Sequence, residues 1–237
     1  MIATGFPFDN GINTEIVDVE DSNFNCTYTG EFPIELTEAT GGLISGQTPF
    51  ICRGDCYQLT EAGSWAKDQR ARLTTVRRNA GYGPVVLNNN LVITGEHNGA
   101  ISLNSMFIEM VSPNTTSQTL SVQIPSEFSL YCQVPWDSET FLVTGGFGGA
   151  GVLSNERRET YFINVIANQI TSGPSLNIGR YAHACGELEA NGTSYIIVSG
   201  GYNDDGLRST EVLDKNNVGQ GWQKGKNSKV LPQYLYA

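Results

Sequence analysis

Arg180-Tyr181-Ala182-His183-Ala184-Cys185-Gly186-Glu187-Leu188 is followed, after a polar turn, by Tyr195-Ile196-Ile197-Val198-Ser199-Gly200-Gly201 and, after a loop, by Ser209-Thr210-Glu211-Val212-Leu213-Asp214. The first stretch reads as a strand. The second is a continuous apolar run, as expected of a strand buried on both faces. The third alternates. Trp222 falls where a fourth, outer strand would pass. Four antiparallel strands in meander order make one propeller blade.

The same phrase recurs along the chain. An apolar run ending in a small residue and glycine appears at Ile2-Ala3-Thr4-Gly5, Phe50-Ile51-Cys52-Arg53-Gly54, Leu91-Val92-Ile93-Thr94-Gly95, Phe141-Leu142-Val143-Thr144-Gly145-Gly146 and Ile196 to Gly201. The third-strand signal returns at Thr14 to Asp18, Cys56 to Leu59, Ser105 to Glu109 and Thr160 to Ile163. A period of roughly fifty residues means a propeller or solenoid array. The double glycine lets neighbouring backbones come close, and Asn88-Asn89-Asn90 suits a hairpin that needs positive φ. Trp65 matches Trp222, and Cys26 takes the same place in the first repeat.

The fold expected is all-β: four-stranded antiparallel blades in one domain over residues 1–237. Blades are expected near 1–40, 41–78, 79–128, 129–179 and 180–229, with 230–237 as a closing strand or the start of a further blade. The pattern resembles the kelch repeat, through the Gly-Gly doublet, the Ser-Thr-Glu-apolar third strand and the later Trp. In particular it resembles the cysteine-bearing, secreted kelch proteins of invertebrates. That resemblance implies a closed β-propeller that binds partners through loops on one face. Kelch rings usually hold six or seven blades, so this chain of about five is expected to be part of a six-bladed ring.

A net charge of −10 in 237 residues disfavours nucleic acid and anionic membranes as partners. No apolar run reaches the length of a membrane span. Five cysteines and the acceptor triplets at Asn25, Asn114 and Asn191 point to an oxidising, extracellular setting. No signal peptide stands at the start of the sequence.

Cys52-Arg53-Gly54-Asp55-Cys56 places an Arg-Gly-Asp tripeptide between two cysteines that a disulfide can join across a three-residue loop. It resembles the constrained loops of integrin ligands. By repeat alignment, however, Arg53-Gly54 occupies the doublet position. Cys132 and Cys185 read as equivalent first-strand positions in adjacent blades. Buried free thiols are the commoner fate there, because a bridge requires neighbouring inner strands to be close. Their pairing, and that of Cys26, stays open.

The sequence is therefore read as an extracellular protein- or glycan-binding module with no cofactor, no metal and no catalytic residue; whether it is one subunit of a larger assembly stays open. Its binding loops are the second-to-third-strand connections: Arg53, Gly54 and Asp55; His97 and Asn98; Phe147; Asn203, Asp204 and Asp205. A propeller oxidase of the galactose oxidase type is the enzymatic alternative. That chemistry needs two histidines and two tyrosines on one copper, and His97 and His183 are the two histidines available. Intracellular kelch adaptors and actin binders form a third class, which the acceptor triplets disfavour.

Overall fold

The structure is a computed structural model. It describes residues 2–4, 13–17, 26–34, 39–46, 48–74, 77–78, 83, 85–97, 107–124, 129–148 and 156–225; for 2–4, 13–17, 26–30, 77–78 and 96–97 the description stops at the backbone. Within these residues the chain is all-β. The one helical piece is a three-residue 3-10 turn, Val218–Gln220. No helix among the described residues is long and apolar enough to cross a membrane.

Five successive meanders account for nearly every strand. The first has three described strands: Ile2–Thr4, Asn13–Val17 and Cys26–Glu31. The second is Thr40–Ile44, Thr48–Arg53, Asp55–Leu59 and Trp65–Arg72. The third runs from Val85–Leu87 through Asn90–His97 and Phe107–Val111 to Gln118–Thr119. Arg77–Arg78 pairs with the far end of Asn90–His97, whose near end pairs with Val85–Leu87. The fourth is Cys132–Pro135, Thr140–Thr144, Thr160–Asn164 and Gln169–Ser172. The fifth is Ala184–Ala190, Thr193–Ser199, Thr210–Asp214 and Gln223–Lys224. Every pairing is between antiparallel neighbours, so each four-stranded sheet has the form of a blade.

Turn chemistry fixes the registers. Asn88 and Asn89 take φ of 49° and 61°, and Asn191-Gly192 takes 52° and 72°. These left-handed pairs twist with the strands, and asparagine and glycine adopt them at least cost.

The sheets pack face to face, and each junction is an apolar layer. Phe50, Ile44 and Leu73 of the second sheet meet Leu91, Ile93 and Val111 of the third. Val92 and Ile108 of the third meet Phe141, Val143 and Ile163 of the fourth. Leu142 and Val134 of the fourth meet Ile196, Val198, Leu213 and Trp222 of the fifth. The central strands are buried on both faces because alternate residues serve opposite neighbours: Phe141 and Val143 face back while Leu142 faces forward. Phe32 covers the remaining face of the second sheet, ring against Tyr57 and Trp65 at 4.8 and 4.9 Å.

Two disulfides are present among the described residues. Cys52–Cys56 joins directly opposed residues of one hairpin, with Cα atoms 4.1 Å apart. The loop is tighter than the sequence implies: Arg53 pairs with Asp55, and Gly54 alone turns the chain at φ 102°. Cys132–Cys185 joins the inner strands of the fourth and fifth sheets, with Cα atoms 5.9 Å apart. This corrects the expectation of free thiols. The two cysteines are not at equivalent positions: Cys132 pairs with Thr144, immediately before the doublet, whereas Cys185 pairs with Val198, one residue earlier. An offset of one residue in a strand reverses the side chain's face. Cys132 therefore points forward and Cys185 points back across the junction. Equivalent residues would point the same way around the array and miss each other.

Candidate functional site

Two rims bound the sheets. The doublet rim carries the connections between second and third strands. The opposite rim carries the other two turns of each meander.

The doublets do two jobs at the fourth and fifth sheets. Gly145 and Gly146 have φ of 58° and 115°, and Gly200 and Gly201 have 69° and 82°. A Cβ on Gly145 would stand 2.5 Å from the Arg180 carbonyl oxygen and 2.9 Å from the His183 ring. One on Gly201 would stand 2.5 Å from the Tyr181 carbonyl oxygen. The close approach expected of the doublet is thus present, joined by a left-handed backbone that L side chains rarely adopt.

Beneath the doublets lies a buried polar scaffold. The Arg180 guanidinium is fully buried and pairs with Glu211 at 3.0 Å. It also donates to the carbonyls of Gly200 and Ser209 at 2.9 and 3.0 Å. Burial pushes the Arg180 pKa down, and the Glu211 charge opposes that. Glu211 accepts the backbone N–H groups of Asn177 and Ile178 at 2.6 and 3.1 Å, anchoring the segment that enters the blade. Glu109, at the same register in the third sheet, accepts the Thr74 N–H at 2.6 Å. His183 is buried, its Nε2 2.9 Å from Thr144 Oγ1. Burial, and then the Arg180 charge, lowers its pKa to about 3. It is a neutral structural histidine at neutral pH. Thr94, equivalent to Thr144, accepts from Tyr131 at 2.5 Å and donates to Gln133 at 2.7 Å, tying the third sheet to the fourth.

Above this scaffold the loops form a second layer. Phe147 bridges Ser129 on one side and Glu156 on the other, and Tyr181 bridges Tyr202. Tyr202–Asn203 and Asp205–Gly206 close a miniature hairpin with Asp204 at its tip, where the sequence implied plain loop. The rings form a ladder: Phe147 meets Tyr181 edge to face at 5.0 Å, and Tyr181 stacks on Tyr202 at 5.6 Å. Phe147 is 37% exposed.

The expected binding residues divide. Phe147, Asn203, Asp204 and Asp205 come together: Asn203 donates to the Gly179 carbonyl at 2.8 Å and the Asp204 N–H reaches Glu156 at 3.3 Å. Asp204 and Asp205 are exposed. Arg53, Gly54 and Asp55 form the tip of the second sheet. There the Asp55 carboxylate accepts Lys67 Nζ at 2.6 Å and lies 3.7 Å from Arg72 Nε. His97 ends a strand opposite Arg77, while its side chain and Asn98 lie outside the described residues. Asn114 and Asn191 occupy exposed turns of the opposite rim, and Asn25 lies outside the described residues. Among the described residues no three His, Cys, Asp or Glu side chains are grouped to hold a metal ion.

Tyr181 and Tyr202 were absent from the expected site. A signal existed, since an aromatic residue follows the doublet both at Phe147 and at Tyr202. No protein-family model matches the chain, and a search of curated proteins gives no match.

Proposed function

We propose that this chain is a kelch-type β-propeller that serves as an extracellular interaction module, binding a protein or glycan partner through its doublet rim. The observation that carries the reading is the ladder Phe147–Tyr181–Tyr202, set beside exposed Asp204 and Asp205 on a rigid base. Aromatic rings with nearby polar tips give contact area at low entropic cost, and they concentrate at binding surfaces. The base is stiff because Arg180, Glu211 and His183 pin both loops from below. Two disulfides fit an oxidising, extracellular environment. The repeat of meander, doublet and face-to-face junction supports the propeller, and the Ser-Thr-Glu third strand with its later Trp supports the kelch type.

The test is binding of the purified protein to arrays of extracellular domains and of glycans, with Phe147→Ala and Asp204→Lys variants alongside. A ligand of the doublet rim loses tenfold or more in affinity with Phe147→Ala, about 1.4 kcal/mol. Ligands that bind both variants as tightly as the parent would sink the proposal.

A further inference from the structure

The rim opposite the doublets holds a groove that the loops above do not touch. It has a volume of about 360 Å³ and is lined by Trp136, Phe162, Asp137, Gln169, Thr171 and Val218, among others. That is the size range of small-molecule sites, roughly 300–1,000 Å³.

Its walls follow from the meander. Trp136 leaves the inner strand of the fourth sheet, Phe162 lies in the third strand, and Gln169 and Thr171 lie in the outer strand, where Thr171 pairs with Phe162. Val218 enters from the 3-10 turn of the fifth sheet. The Trp136 and Phe162 rings meet edge to face at 4.8 Å. Lys215 Nζ stands 5.2 Å from the Trp136 ring and is paired with Glu187 at 2.7 Å.

The polar groups of the groove are specific in kind. Asp137 Oδ1 caps its own turn, accepting the N–H groups of Glu139 and Thr140 at 2.8 and 2.7 Å. Asn164 Oδ1 does the same for Ile166 and Ala167 at 3.0 and 2.7 Å. Gln169 and Thr171 are exposed, and their side chains have no hydrogen-bond partner among the described residues. The groove thus offers an aromatic wall, the exposed Gln169 amide and Thr171 hydroxyl, and the Asp137 carboxylate.

We propose that this groove binds a neutral oligosaccharide. A pyranose ring has an apolar C–H face that suits the aromatic wall of Trp136 and Phe162. Its hydroxyls both donate and accept, matching Gln169, Thr171 and Asp137. An anionic ligand meets Asp137 and a chain of net charge −10. A wholly apolar ligand strips water from the amide and the carboxylate without replacing it. The site does not depend on the doublet-rim reading, because it lies at the other end of the same strands.

The test is titration of the full chain, followed by tryptophan fluorescence and saturation-transfer NMR. The probes are cellohexaose, mannohexaose, xylohexaose and N-acetylchitohexaose, with a heparin hexasaccharide and adenosine as competitors of other chemistry. At least one neutral hexasaccharide is expected to bind with Kd below about 10 mM. Trp136→Ala weakens it tenfold or more. Trp136 also packs on the fourth-to-fifth junction. Gln169→Ala with Thr171→Val, both at exposed positions, therefore provides the fold-neutral arm: affinity drops several-fold while thermal unfolding is unchanged. Phe147→Ala leaves this binding intact. The proposal is overturned if no neutral hexasaccharide binds below about 10 mM, if heparin or adenosine binds more tightly than every neutral probe, or if the groove variants bind as the parent does.

Discussion

At the end of its second strand the second sheet carries Cys52-Arg53-Gly54, where the fourth carries Thr144-Gly145-Gly146. In the fourth sheet the doublet is pressed against the next blade: Gly146 N–H donates to the Arg180 carbonyl at 2.8 Å, and His183 lies beneath. In the second sheet the hairpin is closed within itself, by Cys52–Cys56 and by Asp55 reaching Lys67 across to the outer strand. One end is fastened to its neighbour and the other to its own blade. A degenerate doublet is tolerated where local cross-links hold the tip of the hairpin. It is required where a neighbouring backbone occupies the space a Cβ would fill.

Acid should separate the two ends most. His183 titrates near 3 in the folded chain against an ordinary value of 6.5. Between those values the unfolded chain binds a proton that the folded chain does not. His183's contribution is therefore complete above pH 6.5 and is lost as pH falls towards 3, a change on the order of 5 kcal/mol. Chemical denaturation across that window should show a steep slope that His183→Asn flattens. An unchanged slope in the variant breaks the assignment of acid sensitivity to the fourth-to-fifth junction.

The disulfides come next. Cys132–Cys185 spans 53 residues and Cys52–Cys56 spans 4. Loop-closure entropy then assigns about 4 kcal/mol to the first and about 2 kcal/mol to the second. Paired Cys→Ala variants, unfolded in denaturant, should rank in that order; the reverse order would show that the hairpin bridge holds more than its own loop.

Gly145→Ala should cost about 2–4 kcal/mol, through both the left-handed φ and the contact with the Arg180 carbonyl. Gly46→Ala is the control: it has positive φ but nothing within 4 Å, and should cost about 1 kcal/mol. Equal losses in thermal melts would remove the close approach from the account. The smallest effect belongs to Asp55→Asn, at about 0.5 kcal/mol, because both partners of the Lys67 pair are partly exposed. A loss above about 1.5 kcal/mol would make the second sheet's tip a structural joint of the same rank as the doublets.

Much of the architecture was legible along the chain. The continuous apolar second strands lie within those observed at Thr140–Thr144 and Thr193–Ser199. Trp65 begins one outer strand and Trp222 directly precedes another. The first strand of the fifth sheet starts four residues later than the sequence implies and ends two residues later. It begins at Ala184, because Ala182 turns left-handed at φ 48° and Arg180 leaves the strand to pair with Glu211. The candidate site was legible only in part. Phe147 and Asn203 to Asp205 were marked by their place after the doublets, but Tyr181 joins them from the preceding inner segment through a backbone bridge to Tyr202.

The sequence by itself determined the strand pattern, the meander order and the positions needing glycine or asparagine. These depend on periodicity and on local φ, which each segment carries in its own residues. Only the tertiary structure decided that Cys132 meets Cys185, that Arg180 and His183 are buried beneath the doublets, and that Trp136 and Phe162 wall a groove. Each of these depends on a one-residue register or on the distance between two sheets, and both are set by packing between segments roughly fifty residues apart.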